Sequence, residues 1–178
     1  MMAKPSKKEY PAFYQPYIDA LDDQGNLVSQ METSLRIFER ELSELEGDKQ
    51  EYRYADGKWT IKEIVQHLID AERVFVYRAL RYSRNDQSSL LSYDENMFVA
   101  NYEINERKYD NLVKEFSLLR RSTILMFHNF DEEILGREGK VEENIFTVRA
   151  LGYLCSGHLL HHLKVIKERY LLNRLNQK

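Results

Sequence analysis

The chain has 178 residues, 31% of them charged and 43% apolar, and a formal net charge of −3. That length allows one domain with its own core; the charge balance offers no basic face for nucleic acid, and no apolar run approaches the roughly 18–20 residues of a membrane span. All three prolines (Pro5, Pro11, Pro16) come early and the single cysteine, Cys155, leaves no intrachain disulfide, so the expectation is a cytoplasmic protein of long helices.

Residues 1–25 read as a polar, proline-punctuated arm, and its lysine-rich start lacks the apolar stretch of a secretory signal. Its Tyr10, Phe13, Tyr14, Tyr17 and Ile18 predict packing on the single bundle domain expected over residues 26–178. From Asn26 onward Leu27, Val28, Met31, Leu35, Phe38, Leu42 and Leu45 recur at helical spacing, up to Gly47-Asp48. A second helix opens at a Thr60-x-x-Glu63 capping box, with Trp59 placed to staple onto Ile64, and runs to about Tyr82. The Ser- and Asn-rich stretch 83–92 breaks it. A third helical region covers about 94–130 with an interruption near 101–105, and a polar loop with Gly136 and Gly139 comes next. The last helix starts at Thr147, with Phe146 and Leu151 spaced for another staple, and continues to about Leu172. Four long amphipathic helices predict an all-α four-helix bundle.

Five histidines occur: His67, His128, His158, His161 and His162. On the last helix Val148, Leu151, Cys155, His158, His162, Val165 and Arg169 alternate three- and four-residue steps, the pattern of an inward-facing seam. His158 and His162 then lie one turn apart with Cβ atoms about 5–6 Å from each other, close enough for two imidazoles to share one metal ion. His67 falls on a similar stripe with Ile64, Ala71 and Val74. Three neutral imidazoles would leave part of a coordination shell open, the pattern of a reactive site and not a closed structural one. The competing reading is a hydrogen-bonded core network without metal. Di-iron bundles need Glu-x-x-His, and no histidine here has a Glu three residues before it. His161 is expected at the edge of the seam, and His128 as a cation at a helix C-terminus or a solvent contact.

The string from Tyr54 to Phe75, containing Lys58-Trp-Thr-Ile-Lys-Glu-Ile-Val-Gln-His67, resembles the second helix of DinB-like (DinB/YfiT) proteins. The run Gly157-His158-Leu-Leu-His-His162-Leu-Lys-Val-Ile-Lys-Glu-Arg-Tyr170 is similar to their last helix. The resemblance spans about residues 14–172. It implies a four-helix bundle of up-down-down-up order, often a homodimer, and a divalent metal, commonly zinc or nickel, held by His67, His158 and His162. It also implies relatives that include low-molecular-weight-thiol S-transferases, such as bacillithiol transferases, and a mycothiol-dependent isomerase.

Three functional readings are open at the level of the sequence. In the first, a thiol cofactor binds the open metal position as thiolate and attacks an electrophile. In the second, the position holds water for hydrolysis. In the third, the protein is a non-enzymatic dimeric helical module with a structural or vestigial metal; an aromatic content of 12% is consistent with a dimer. Asp70 and Glu72 are candidates to steady a ligand ring or relay a proton, although Glu72 could instead pair with an arginine such as Arg169. Cys155 is a candidate fourth ligand, its alternative being a small core hydrophobe. Tyr93, Phe98 and Tyr102 are candidates to wall a pocket.

Overall fold

The computed structural model describes residues 3–172. A one-turn 3-10 helix, Ala12–Tyr14, leads into α1 (Gln15–Asp19). Helix α2 (Leu27–Leu42) starts where Asn26 Oδ1 accepts the Ser29 amide at 3.0 Å. It stops earlier than the apolar spacing predicts, and the single turn α3 (Gly47–Gln50) forms separately. Helix α4 (Ile61–Ser83) opens on the expected reciprocal box: Thr60 Oγ1 accepts from Glu63 N at 3.1 Å, and Glu63 Oε2 from Thr60 N at 2.6 Å. Then come α5 (Glu95–Ala100), a 3-10 turn at Ile104–Glu106, and α6 (Tyr109–His128).

The stretch expected as a polar loop around Gly136 and Gly139 is instead a short helix, α7 (Glu132–Gly136), and an antiparallel hairpin of β1 (Glu138–Val141) and β2 (Asn144–Thr147). Gly139 permits the hairpin's close approach, since a Cβ there would lie 2.1 Å from the Tyr82 ring, whose hydroxyl donates to Lys140 O at 2.8 Å. The turn uses Glu142 at φ 54°, a left-handed conformation that costs a non-glycine residue about 1–2 kcal/mol. Bonds from Glu142 N to Leu90 O (2.9 Å) and from Ser92 Oγ to Glu142 Oε1 (2.5 Å) hold it. Helix α8 (Val148–Val165) is capped by Thr147, whose hydroxyl accepts the Ala150 amide, and Ile166–Leu172 continues it as a π-helix.

Two apolar clusters define the bundle's ends. One joins Leu27 and Met31 of α2, Ala79 and Tyr82 of α4, Phe127 of α6 and Leu151 of α8. The other joins Leu42, Ile61, Leu112 and Leu163 from the opposite ends of the same helices. Hence α2 and α8 run one way while α4 and α6 run the other: up, down, down, up. Helices α4 and α2 each pack on both α8 and α6, so α2 and α4 sit across one diagonal and α6 and α8 across the other, while α4 and α6 are neighbours.

Between the two clusters lies a charged tie. Arg120, fully buried on α6, donates from Nε and Nη2 to Glu72 of α4 at 2.6–2.9 Å, from Nη1 to Ser34 Oγ of α2 at 2.8 Å, and from Nη2 to the Cys155 carbonyl of α8 at 2.8 Å. Arg169, the partner suggested by the sequence, is exposed. The buried stripe late in the chain is Leu159, Leu163, Ile166 and Tyr170, one position round from the expected seam, so Arg169 turns to solvent and the histidine stripe turns toward the flank of the bundle.

Candidate metal centre

His67 comes from the second turn of α4, and His158 and His162 from consecutive turns of α8, the helix against which α4 packs. Their Nε2 atoms converge: His158 Nε2 lies 3.0 Å from His67 Nε2 and 3.0 Å from His162 Nε2. A hydrogen-bonded network does not account for this arrangement. An imidazole Nε2 has one in-plane direction, carrying either a proton or a lone pair, so His158 can complete only one of its two contacts. A single ion between them would engage all three lone pairs at once, and the three ligand nitrogens lie within 4.8 Å of one another. Among the described residues these three form the only group of ligand atoms clustered closely enough to hold a metal.

Burial sets their protonation. It lowers the pKa of His67 from 6.5 to about 4. For His158 and His162 burial again comes first, and the neighbouring imidazoles press the pKa well below the usual value. All three are therefore neutral near pH 7, the form that ligates a cation.

The rings are fixed by aromatic neighbours. Trp59, just before the α4 cap, packs against the apolar cluster containing Ile64 and also lies over His67, with ring centroids 4.8 Å apart. Tyr17 of α1 approaches His158 at 5.5 Å and His161 at 5.0 Å, and Phe75 meets His158 edge-on at 5.9 Å. Tyr17 can lie here because α8 has Gly157, where a Cβ would stand 2.2 Å from the Tyr17 carbonyl oxygen.

The triad opens into a cavity of about 420 Å³ walled by five parts of the chain: the arm, α4 with Trp59 just before it, the Ser92–Tyr93 segment with Glu95, the hairpin, and α8. The proline-bearing arm thus contributes wall, through Tyr14 and Tyr17. Of the three aromatics expected there, Tyr93 lines the cavity; Phe98 packs at a tilt against Tyr93, with ring centroids 5.0 Å apart, and Tyr102 accepts from Arg107 at 2.7 Å elsewhere.

The remaining candidates lie off the centre. Asp70 accepts from Gln66 Nε2 at 2.9 Å and faces Arg73 at 3.9 Å. Both Glu72 oxygens are taken by Arg120, with Thr123 adding a bond at 2.9 Å; the carboxylate lies toward the bundle interior and bonds to none of the three imidazoles. Cys155 is buried beside that pair, where burial and the Glu72 charge raise its thiol pKa, and it stands outside the ligand cluster. His161 lines the cavity, half-buried, and His128 is exposed at the end of α6. The sequence reading missed Trp59 as a cover for His67, the hairpin wall, and Arg78, a buried cation on the cavity's α4 side. Only Arg78 carried a signal, being eleven residues, close to three helical turns, after His67.

Among the described residues no helix is long and apolar enough to cross a membrane. No curated protein matches the chain significantly. Its structure is similar to that of YfiT from Bacillus subtilis, described as "a probable metal-dependent hydrolase with an unusual four-helix bundle topology": the TM-score is 0.76 at 16% identity, covering 98% of this chain and 94% of that one. The family model of the DinB superfamily matches residues 30–166. That match takes in α4, α6, α8, all but the first three residues of α2 and the three converging histidines, and the chain belongs to the DinB superfamily.

Proposed function

We propose that this chain is a divalent-metal-dependent enzyme, with zinc or nickel held by His67, His158 and His162, that transfers a small thiol to an electrophile. The observation that carries the reading is the convergence of three neutral Nε2 atoms on the wall of a cavity large enough for a small molecule. A divalent cation held there would supply Lewis acidity, lowering the pKa of a thiol or water at its open position. The chain's own residues bind and orient. Trp59 and Phe75 lock the ligand rings, while Tyr14, Tyr17 and Phe146 give the cavity apolar walls that limit water. With Asp70 and Glu72 engaged elsewhere, the chemistry needs a nucleophile that ionises readily without an adjacent carboxylate, and a thiol does so more readily than water.

Hydrolysis is the second reading, favoured by His161. It stands on the cavity wall, its ring 5.1 Å from that of His162, and burial and Lys164 lower its pKa, so a ring nitrogen is free to take a proton at neutral pH. The YfiT description points the same way.

One experiment separates the readings. Elemental analysis of tag-free protein identifies the metal, and the loaded protein is assayed with a thiol panel against monochlorobimane and with an activated ester without thiol. Thiol-dependent conjugation that His158→Ala abolishes supports the transferase. Ester turnover without thiol supports the hydrolase, and inactivity in both assays with metal bound supports a non-enzymatic module.

A further inference from the structure

Two arginines are buried in the heart of this fold and are treated in opposite ways. Arg120 is saturated by a carboxylate, a hydroxyl and a carbonyl. Arg78, 5% exposed, makes one hydrogen bond, from Nη2 to the Leu91 carbonyl at 3.1 Å, and no ion pair among the described residues. A guanidinium has five N–H donors in a planar fork, and leaving such a charge buried without an anion is costly. Arg78 lines the histidine cavity, and Tyr14, Tyr93 and Glu142, which also line it, lie within electrostatic reach of the guanidinium. Glu142 approaches it through space only: its carboxylate bonds to the Ser92 hydroxyl and amide at 2.5 and 3.3 Å and makes no hydrogen bond or ion pair with Arg78 among the described residues.

The helix sets the spacing. His67, Ala71, Phe75 and Arg78 succeed one another at steps of four, four and three along the cavity side of α4, which places the Cα atoms of His67 and Arg78 about 16 Å apart along the axis. The Arg78 guanidinium is anchored at the Leu91 carbonyl and faces the same cavity as the histidines. Small Ala71 leaves the floor between them low.

We infer that Arg78 is a specificity residue that receives the carboxylate or phosphate of an elongated small molecule whose other end carries the group that binds at the three histidines. For that other end the inference rests on the proposed metal chemistry; the anion end rests on Arg78 alone. A planar two-oxygen anion matches the fork bidentately.

The test uses metal-loaded full-length protein and calorimetric titration with alkyl hydroxamates, which chelate divalent metals whatever the reaction. At each of several chain lengths the tail ends in a carboxylate, a phosphate or an uncharged hydroxyl. An anionic tail of suitable length is expected to bind at least ten-fold tighter than the hydroxyl tail. Whichever of carboxylate and phosphate shows the larger gain identifies the anion. Arg78→Met should erase that gain while leaving metal content and hydroxyl-tail affinity unchanged, and Arg78→Lys should retain part of it. Equal binding of charged and uncharged tails by the wild type, or an undiminished gain in Arg78→Met, overturns the role of Arg78 and leaves the metal reading standing. If none of the hydroxamates binds the loaded protein, the open metal position is refuted and the inference falls with it. The wild-type comparison decides the matter even if Arg78→Met does not fold.

Discussion

His158 Nε2 stands 3.0 Å from two other imidazole nitrogens, so at the scale of single residues it is the hub of the centre. His158→Ala should lower affinity for zinc or nickel by at least about 100-fold, beyond the cost of losing an outer partner. Circular dichroism should show unchanged helicity, since the substitution removes a polar ring and leaves a good helix former; metal retained at the wild-type stoichiometry would displace His158 from the ligand set. Trp59, the one tryptophan, reports on the same site. Nickel added to metal-free protein should quench its emission, because its ring lies 4.8 Å from His67, and unchanged emission at saturating nickel would place the ion elsewhere. The histidine pair was legible in the sequence because i, i+4 spacing is local. Trp59 over His67 was not, since a cap residue's ring can lie against any element that arrives beside it.

Among the elements, α1 and the four long helices are joined by contacts that no helical pattern encodes. Gly157 lets the α1 backbone lie directly on α8; Gly157→Ala should cost about 1–3 kcal/mol and displace Tyr17 from the histidines. An unchanged denaturation midpoint would show that α1 does not sit there. Arg120 bonds to residues of the other three long helices, and Glu72→Ala, which strands that buried charge, should cost about 3–5 kcal/mol. The metal content of the folded fraction should stay at the wild-type level; loss of metal at constant fold would return Glu72 to the site. The Thr60 and Thr147 caps were legible because a cap is a bond across three residues. The Glu72–Arg120 pair bridges 48 residues and left no local mark. The hairpin was hidden because its turn is Glu142-Glu143 and not one of the Asn-Gly or Asp-Gly pairs that announce a two-residue turn.

For the molecule as a whole, the buried histidines link stability to pH. Folded His67 has a pKa of about 4 against an ordinary 6.5, so below pH 6.5 the unfolded chain takes up a proton that the folded one refuses. The contribution is fully present above pH 6.5 and is lost as pH falls toward 4, on the order of 3 kcal/mol for this group, with His158 and His162 acting in the same direction. The melting temperature of chelator-treated protein should fall steadily from pH 7 to pH 4.5; a flat profile would contradict burial of neutral imidazoles. Aromatic residues gather at the cavity, where Tyr14, Tyr17, Trp59, Phe75, Tyr93 and Phe146 form much of the wall. By itself the sequence determined the long helices, their caps and the pairing of His158 with His162, because each depends on residues within a turn or two of one another. Only the tertiary structure decided that the arm and hairpin enclose the site, that Glu72 serves Arg120, and that Arg78 is buried on the cavity with no ion pair among the described residues. Those facts depend on segments far apart in the chain meeting across the bundle, and helical periodicity carries no information about which segments meet.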